Sequence, residues 1–101
     1  MTITTSNNLI SLSGMLDTNS APQFEQTVQN ILNDSTMTVA GASVILDLSQ
    51  MTYTSSQGLR LILTLQKGLT AKGATLLLRG VQPAVMEVFK MTGFTSLLKF
   101  E

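Results

Sequence analysis

The hydroxyl side chains best placed for chemistry stand together in the segment 53–58, Tyr-Thr-Ser-Ser-Gln-Gly. Thr54, Ser55 and Ser56 lie between the apolar run 44–48 and a predicted helix that begins at Gln57. Ligands and partner proteins favour this end of a parallel strand, and the first N–H groups of a helix need acceptors there. A hydroxyl in this place can cap the helix, accept a phosphoryl group or act as a nucleophile.

A serine nucleophile would need a neighbouring base. The chain has no histidine and no cysteine, so only a lysine such as Lys67 or a carboxylate could serve. The same absence excludes a disulfide framework, a thiolate metal site and the imidazole ligands of most zinc centres. We therefore expect a protein that is not an enzyme and that uses no metal or cofactor.

Three arrangements could cap the predicted helix. Thr54 with Gln57 has the spacing of a capping box, whereas Ser55 or Ser56 as the cap would leave Gln57 or Gly58 in the first turn. The residues alone do not choose among them.

The composition indicates one small domain over residues 1–101, with 44% hydrophobic and 12% charged residues and a formal net charge of zero. Its basic residues occur singly, which argues against a nucleic-acid binder. Neither a signal-peptide pattern nor a run of ~18 apolar residues is present, so we expect a cytoplasmic protein that does not insert into a membrane.

Strand and helix patterns alternate along the chain. Strands are predicted around Ile3 and at 9–13, 44–48 and 75–79, helices at 20–33, 57–72 and from Pro83 to Gly93, and a short helix or edge strand at 97–100. Residues 35–42 are predicted to form a loop. This order implies an α/β layer with right-handed crossovers and an N-terminal β-ribbon.

The sequence predicts structural or surface roles for several individual side chains. Ser20 with Gln23 has capping-box spacing, and the run 44–48 is typical of a strand covered on both faces. Asp47, inside that strand, is expected to have a hydrogen-bonded structural role. The helix at 57–72 is more apolar than a surface helix usually is, which suggests contact with a partner. Met51, Met86 and Met91 are candidate surface contacts.

Residues 53–60, following 44–49, closely resemble the STAS domain, the fold of bacterial anti-sigma factor antagonists. Residues 12–17 followed by Ala21 and Pro22, and residues 80–85 followed by 91–94, resemble the same family. The resemblance covers nearly the whole chain. It implies a single α/β domain with a four- to five-stranded, mostly parallel or mixed sheet and flanking helices.

The resemblance also implies a phosphorylation switch. The family's acceptor, a serine or threonine at the start of the second helix, falls on Ser56, and Ser55 and Thr54 are reserve candidates. The family often has Asp before the acceptor and a small residue after it, where this chain has Ser55 and Gln57. Asp17 matches an acidic position near the acceptor, and its alternative role is to form a turn. The residues expected to support the partner contact are Asp17, Thr54, Ser55, Gln57, Gly58 and Arg60.

The implied function is that of an anti-sigma factor antagonist. Its expected partners are an anti-sigma factor serine kinase, bound before phosphorylation and released after it, and a serine phosphatase of the PP2C type. A second interpretation is an accessory subunit of an ABC lipid transporter, which would pack on the ATPase through its apolar second helix without phosphorylation. A third, an enzyme with Ser55 or Ser56 as nucleophile, lacks an evident base.

Overall fold

A mixed five-stranded sheet organises residues 1–101, all of which the computed structural model describes. The strands lie side by side in chain order, with β1 antiparallel to β2 and every other neighbouring pair parallel. The elements are β1 (Thr2–Ser6), β2 (Leu9–Leu16), α1 (Ala21–Leu32), β3 (Ser43–Thr54), α2 (Ser56–Ala71), β4 (Thr75–Arg79), α3 (Pro83–Met91), a 3-10 turn (Phe94–Ser96) and β5 (Lys99–Phe100). The predicted α/β fold with its N-terminal ribbon is confirmed.

The core lies on one face of the sheet. In β3 the side chains of Val44, Leu46 and Leu48 are fully buried, whereas Ile45 and Asp47 between them are only half-buried. β4 alternates in the same way, and all three helices contribute to the same hydrophobic cluster as the buried strand residues. The expected coverage of β3 on both faces is therefore wrong. Ile45 is apolar although it is not on the core face. The sequence of 44–48 therefore does not show the apolar–polar alternation that is typical of a sheet with one open face.

β3 continues to Thr54, well beyond residue 48, where the strand was predicted to end. Its register against β2 shifts twice, between Ser11 and Ser13 and again between Gly14 and Met15. Each bulge gives β3 one extra residue, and Met51 and Thr54 consequently still face the core. Met51, a candidate surface residue, is fully buried. Met86 is half-buried, and Met91 is exposed.

The apolar side chains of α2 are used inside the domain. The helix packs against α1 and β4, and its buried residues are Gly58, Leu59, Leu61, Ile62, Leu65 and Leu69. Its apolar character therefore reflects core packing, and these buried side chains are not available to a partner. A partner contact elsewhere on α2 stays a prediction. No helix of the structure has the length and apolarity to cross a membrane.

The start of α1 differs from its predicted capping box. Pro22 lies in the first turn as expected, but the Ser20 side chain does not cap the helix. Its hydroxyl donates to the carbonyl oxygen of Met15 at 2.8 Å and accepts from the N–H of Asp17 at 3.0 Å. Ser20 therefore closes the loop between β2 and α1.

Candidate functional site

Ser55 caps α2. Its Oγ accepts a hydrogen bond from the N–H of Gly58 at 3.1 Å, and its carbonyl oxygen accepts from the N–H of Leu59 at 3.0 Å. Its backbone is extended, with φ −84° and ψ 168°, as expected for a cap residue. Among the three arrangements that the sequence left open, the structure thus selects Ser55. Ser56 is then the first residue of the helix.

Ser56 is exposed, and its hydroxyl takes no part in the cap. The N–H groups of Ser56 and Gln57 precede the first intrahelical bond, and no acidic residue occupies the first turn of α2. The positive end of the helix dipole is therefore not compensated by a carboxylate there. A phosphate on Ser56 would bring roughly −1.5 to −2 charges to a place where the backbone stabilises anions.

Thr54 lies beneath this turn and is only 2% exposed. Its hydroxyl donates to the carbonyl oxygen of Ser55 at 3.2 Å. A kinase that acts on the folded domain cannot reach a side chain buried to this degree, so Thr54 is a packing residue and the reserve acceptor that remains is Ser55. Gln57 and Arg60 are exposed beside Ser56, and Gly58 is buried.

Asp17 is held beside the same turn. The N–H of Ser55 donates to the carbonyl oxygen of Leu16 at 2.8 Å, which joins the end of β2 to the start of α2. The Asp17 carboxylate accepts hydrogen bonds from the N–H groups of Asn19 and Ser20, both at 3.0 Å. It also lies 3.1 Å from the Ser20 hydroxyl oxygen and shares that hydroxyl's single proton with the Met15 carbonyl oxygen. Asp17 therefore stabilises the turn at 17–20, which is the alternative role predicted for it from the sequence. It also lies near the candidate acceptor Ser56.

Acidification should destabilise this turn. Hydrogen bonds from Ser20 hold the pKa of Asp17 below its usual value, so its contribution to stability is complete above the unfolded-state pKa of about 4. That contribution is lost as the pH falls toward the lower folded-state pKa. We expect the urea midpoint to fall below about pH 4. Asp17→Asn should lower the midpoint at neutral pH and flatten this pH dependence; an unchanged pH dependence would contradict the assignment.

Asp47 has the structural role expected for it. Its carboxylate accepts a hydrogen bond from the N–H of Ser49 at 2.9 Å, and its strand neighbour in β4 is Arg79. Hydrogen bonding from Ser49, with a smaller electrostatic contribution from Arg79, lowers the pKa of Asp47. No group of three or more acidic side chains is arranged to hold a metal ion.

Two large exposed side chains near the site were missed by sequence reasoning. Met15 in β2 and Tyr53 in β3 are register partners, exposed to 50% and 45%. Their only signal in the sequence is that each stands next to a residue that faces the core, Leu16 or Thr54. The bulge between Gly14 and Met15 interrupts the regular alternation of inward and outward side chains. Without knowledge of the strand pairing, the sequence therefore does not show that these two side chains face outward.

The family model of the STAS domain matches residues 1–101. The chain belongs to the STAS family. Within this STAS domain, a stretch of 54 residues is 43% identical to BtrV of Bordetella bronchiseptica, a protein described as an anti-sigma factor antagonist. The matched stretch is 54% of this chain and 47% of BtrV, so it spans about half the length of that relative.

Solved structures share the fold of the STAS domain. A Thermotoga maritima protein described as an anti-sigma factor antagonist superposes with a TM-score of 0.79 at 20% identity, covering 98% of this chain and 83% of that one. The Bacillus cell fate determinant SpoIIAA superposes in its unphosphorylated and phosphorylated forms with a TM-score of 0.71 for each. The identities to SpoIIAA are 17% and 18%, and the alignments cover 99% of this chain and 86% and 89% of the two SpoIIAA chains. At these identities the likeness concerns the fold.

Proposed function

We propose that this STAS domain is an anti-sigma factor antagonist that binds a kinase-type anti-sigma factor and is released when Ser56 is phosphorylated. The observation that carries the proposal is the placement of Ser56, exposed at the first position of α2 with its hydroxyl outside the cap. Its neighbours are committed elsewhere, because Ser55 caps the helix and Thr54 is buried. Membership of the STAS family and the similarity to BtrV support the same function.

The energetics favour release of the partner over damage to the domain. The dipole of α2 stabilises a phosphate at Ser56, so the domain tolerates the modification. The partner instead faces a strongly hydrated dianion within the contact. A change from almost fully bound to almost fully released requires about 5.5 kcal/mol of differential affinity. Desolvating one unpaired charge supplies much of this.

The switch requires two partner enzymes and no catalytic group in the domain itself. The anti-sigma factor serine kinase transfers the γ-phosphoryl group of ATP to Ser56 and is also the protein that is bound. A serine phosphatase of the PP2C type hydrolyses the phosphoserine and restores the binding form. In this proposal all three proteins act in the cytoplasm, and the STAS domain contributes a surface and an acceptor hydroxyl.

Met15 and Tyr53 are proposed as apolar anchors of that surface. Both are half-exposed, next to the loop that carries Asp17 and to the start of α2 that carries Ser56. Aromatic anchors near the centre of an interface cost at least about 2 kcal/mol when truncated, so Tyr53→Ala should weaken partner binding about 30-fold. Met91→Ala is the matched control, because Met91 is also a large exposed apolar side chain (82%) but lies on α3, outside the proposed surface. Titration calorimetry that shows Tyr53→Ala binding like the control would contradict this role.

The proposed function is tested by mapping the phosphorylated residue. The domain is incubated with ATP and the kinase that co-purifies with it, and the product is analysed by mass spectrometry. We expect phosphate on Ser56 and none on Ser56→Ala. Ser55→Ala should still be phosphorylated, although loss of the cap costs about 1 kcal/mol of stability. Equal phosphorylation of Ser56→Ala and wild type would refute the assignment. A complex with a transporter ATPase that remains intact when ATP is added would favour the accessory-subunit role.

A further inference from the structure

The two edges of the sheet are protected to different degrees. The β5 edge is two residues long, and the following Glu101 forms two hydrogen bonds with the Arg79 guanidinium at 2.9 and 3.0 Å. The β1 edge is five residues long and has no proline, and its pairing with β2 is regular. Soluble proteins usually blunt such edges with charges, proline, bulges or short strands. Only the β5 edge has these features.

Charge is absent along the entire β1–β2 hairpin. The first charged side chain of the chain is Asp17, which follows β2. β1 itself, Thr-Ile-Thr-Thr-Ser, is dominated by β-branched residues, and every residue except Ile3 is exposed. Such a strand has a high tendency to pair and no side chain that opposes pairing. Its outer edge is therefore a template for another strand.

The hairpin geometry identifies the groups that remain free. β1 and β2 are joined by Asn7 and Asn8, and Ser6 and Leu9 form the closing pair. In a hairpin with a two-residue loop the closing pair is hydrogen-bonded, and hydrogen-bonded and non-hydrogen-bonded pairs then alternate. Ile3 and Thr5 thus direct their N–H and C=O groups away from β2. These four backbone groups are available to a further strand.

We propose that β1 pairs antiparallel with the β1 strand of a second copy of this chain, with a two-fold axis at Thr4. In this register Ile3 of each copy lies opposite the partner's Thr5, so all the outward N–H and C=O groups of both residues are paired. A register centred on Ile3 or Thr5 would leave part of them unpaired within β1. The strand is thus complementary to itself, as a two-fold interface requires.

Charge also favours a second copy as the occupant. The formal net charge of zero produces no overall repulsion between copies, and the hairpin has no charged side chain that could lie opposite its own copy. Joining two five-stranded sheets would give ten strands, which is within the usual size of open sheets. The proposal concerns a different part of the molecule from Ser56 and does not depend on the switch.

Disulfide trapping tests the register, because the chain has no cysteine of its own. The two Thr4 residues would form a non-hydrogen-bonded pair with Cα atoms about 4.5 Å apart, which a disulfide can span. The two Thr2 residues would lie roughly 13 Å apart, which it cannot span. We expect Thr4→Cys to give a covalent dimer under mild oxidation and Thr2→Cys to remain monomeric. Equal cross-linking of both variants, or of neither, would overturn the proposal.

Sedimentation equilibrium tests association without a cross-link. Between about 1 µM and about 1 mM, the range of weak complexes, the mass should rise from 10.9 kDa toward twice that value. Thr4→Lys would place like charges directly opposite each other and should raise the dissociation constant up to about fivefold. Thr2→Lys adds the same charge to the same exposed strand but faces the partner's Ser6, so we expect little change. A wild-type protein that stays at 10.9 kDa throughout, or two lysine variants that behave alike, would refute the pairing.

Discussion

Ser56→Asp should weaken binding to the proposed anti-sigma factor by at least about 100-fold, equivalent to about 2.7 kcal/mol. A carboxylate at this position carries one fixed charge into the contact, and leaving a charge unpaired in an interface costs 2–5 kcal/mol or more. The fold should remain intact, because an acidic residue in the first turn of α2 gains about 0.3–1 kcal/mol from the helix dipole. Affinity and thermal stability are therefore expected to change in opposite directions.

Ser56→Asn is the matched control for this charge. Asparagine has nearly the size and shape of aspartate but no charge, so it separates electrostatic repulsion from steric hindrance. We expect Ser56→Asn to bind the partner far more tightly than Ser56→Asp in the same calorimetric titration. Equal loss of affinity in both variants would indicate a steric effect, and an unchanged affinity of Ser56→Asp would remove the basis for a phosphorylation switch.

Gly58→Ala should destabilise the domain by about 1–3 kcal/mol, the usual cost of overpacking. A Cβ at Gly58 would lie 2.6 and 2.7 Å from Leu16 side-chain carbons and 2.7 Å from the Thr54 hydroxyl oxygen. Both neighbours are buried, so neither can move away without disturbing the core. In an ordinary helix interior the same change would stabilise by about 1 kcal/mol. The first turn of α2 thus depends on a glycine to approach the end of β2.

Gly68→Ala provides the comparison within the same helix. A Cβ there would also make short contacts, at 2.6 and 2.8 Å, but these involve the terminal methyl groups of half-buried Leu32. A flexible side chain at the surface can shift, and the gain in helix propensity of up to about 1 kcal/mol then remains. We expect Gly68→Ala to be neutral or stabilising in urea unfolding. Similar free energies of unfolding for the two variants would contradict this account of Gly58.

The order and type of the elements could be read from local patterns. β4 has the limits predicted for it, Thr75–Arg79, and Pro83 opens α3. Gly93 ends that region with φ 76°, a left-handed conformation that glycine adopts without strain. Periodicity and turn residues act over a few positions, and that range is sufficient for these elements. The candidate acceptor came instead from the resemblance to the STAS family, because alignment on Gly58 and Leu59 places the family's acceptor on Ser56.

The length of β3 could not be read in this way. Its polar second half is strand because β2 pairs with it through two bulges, and no pattern within residues 49–54 records that partner. The open face of the sheet could not be predicted for a related reason. The sequence does not tell whether an apolar residue such as Ile45 is covered by a helix or only by its neighbours in the sheet.

The choice of the cap shows most clearly where local information ends. Thr54, Ser55 and Ser56 are chemically similar and all satisfy some capping spacing, so the sequence left their roles interchangeable. The close approach of Gly58 to Leu16 sets the depth at which α2 begins, which buries Thr54, makes Ser55 the cap and leaves Ser56 exposed. Whether a segment forms a helix or a strand is determined mainly by residues close to it in the chain. Which of these side chains are buried is determined by contacts between residues about 40 positions apart, which only folding brings together.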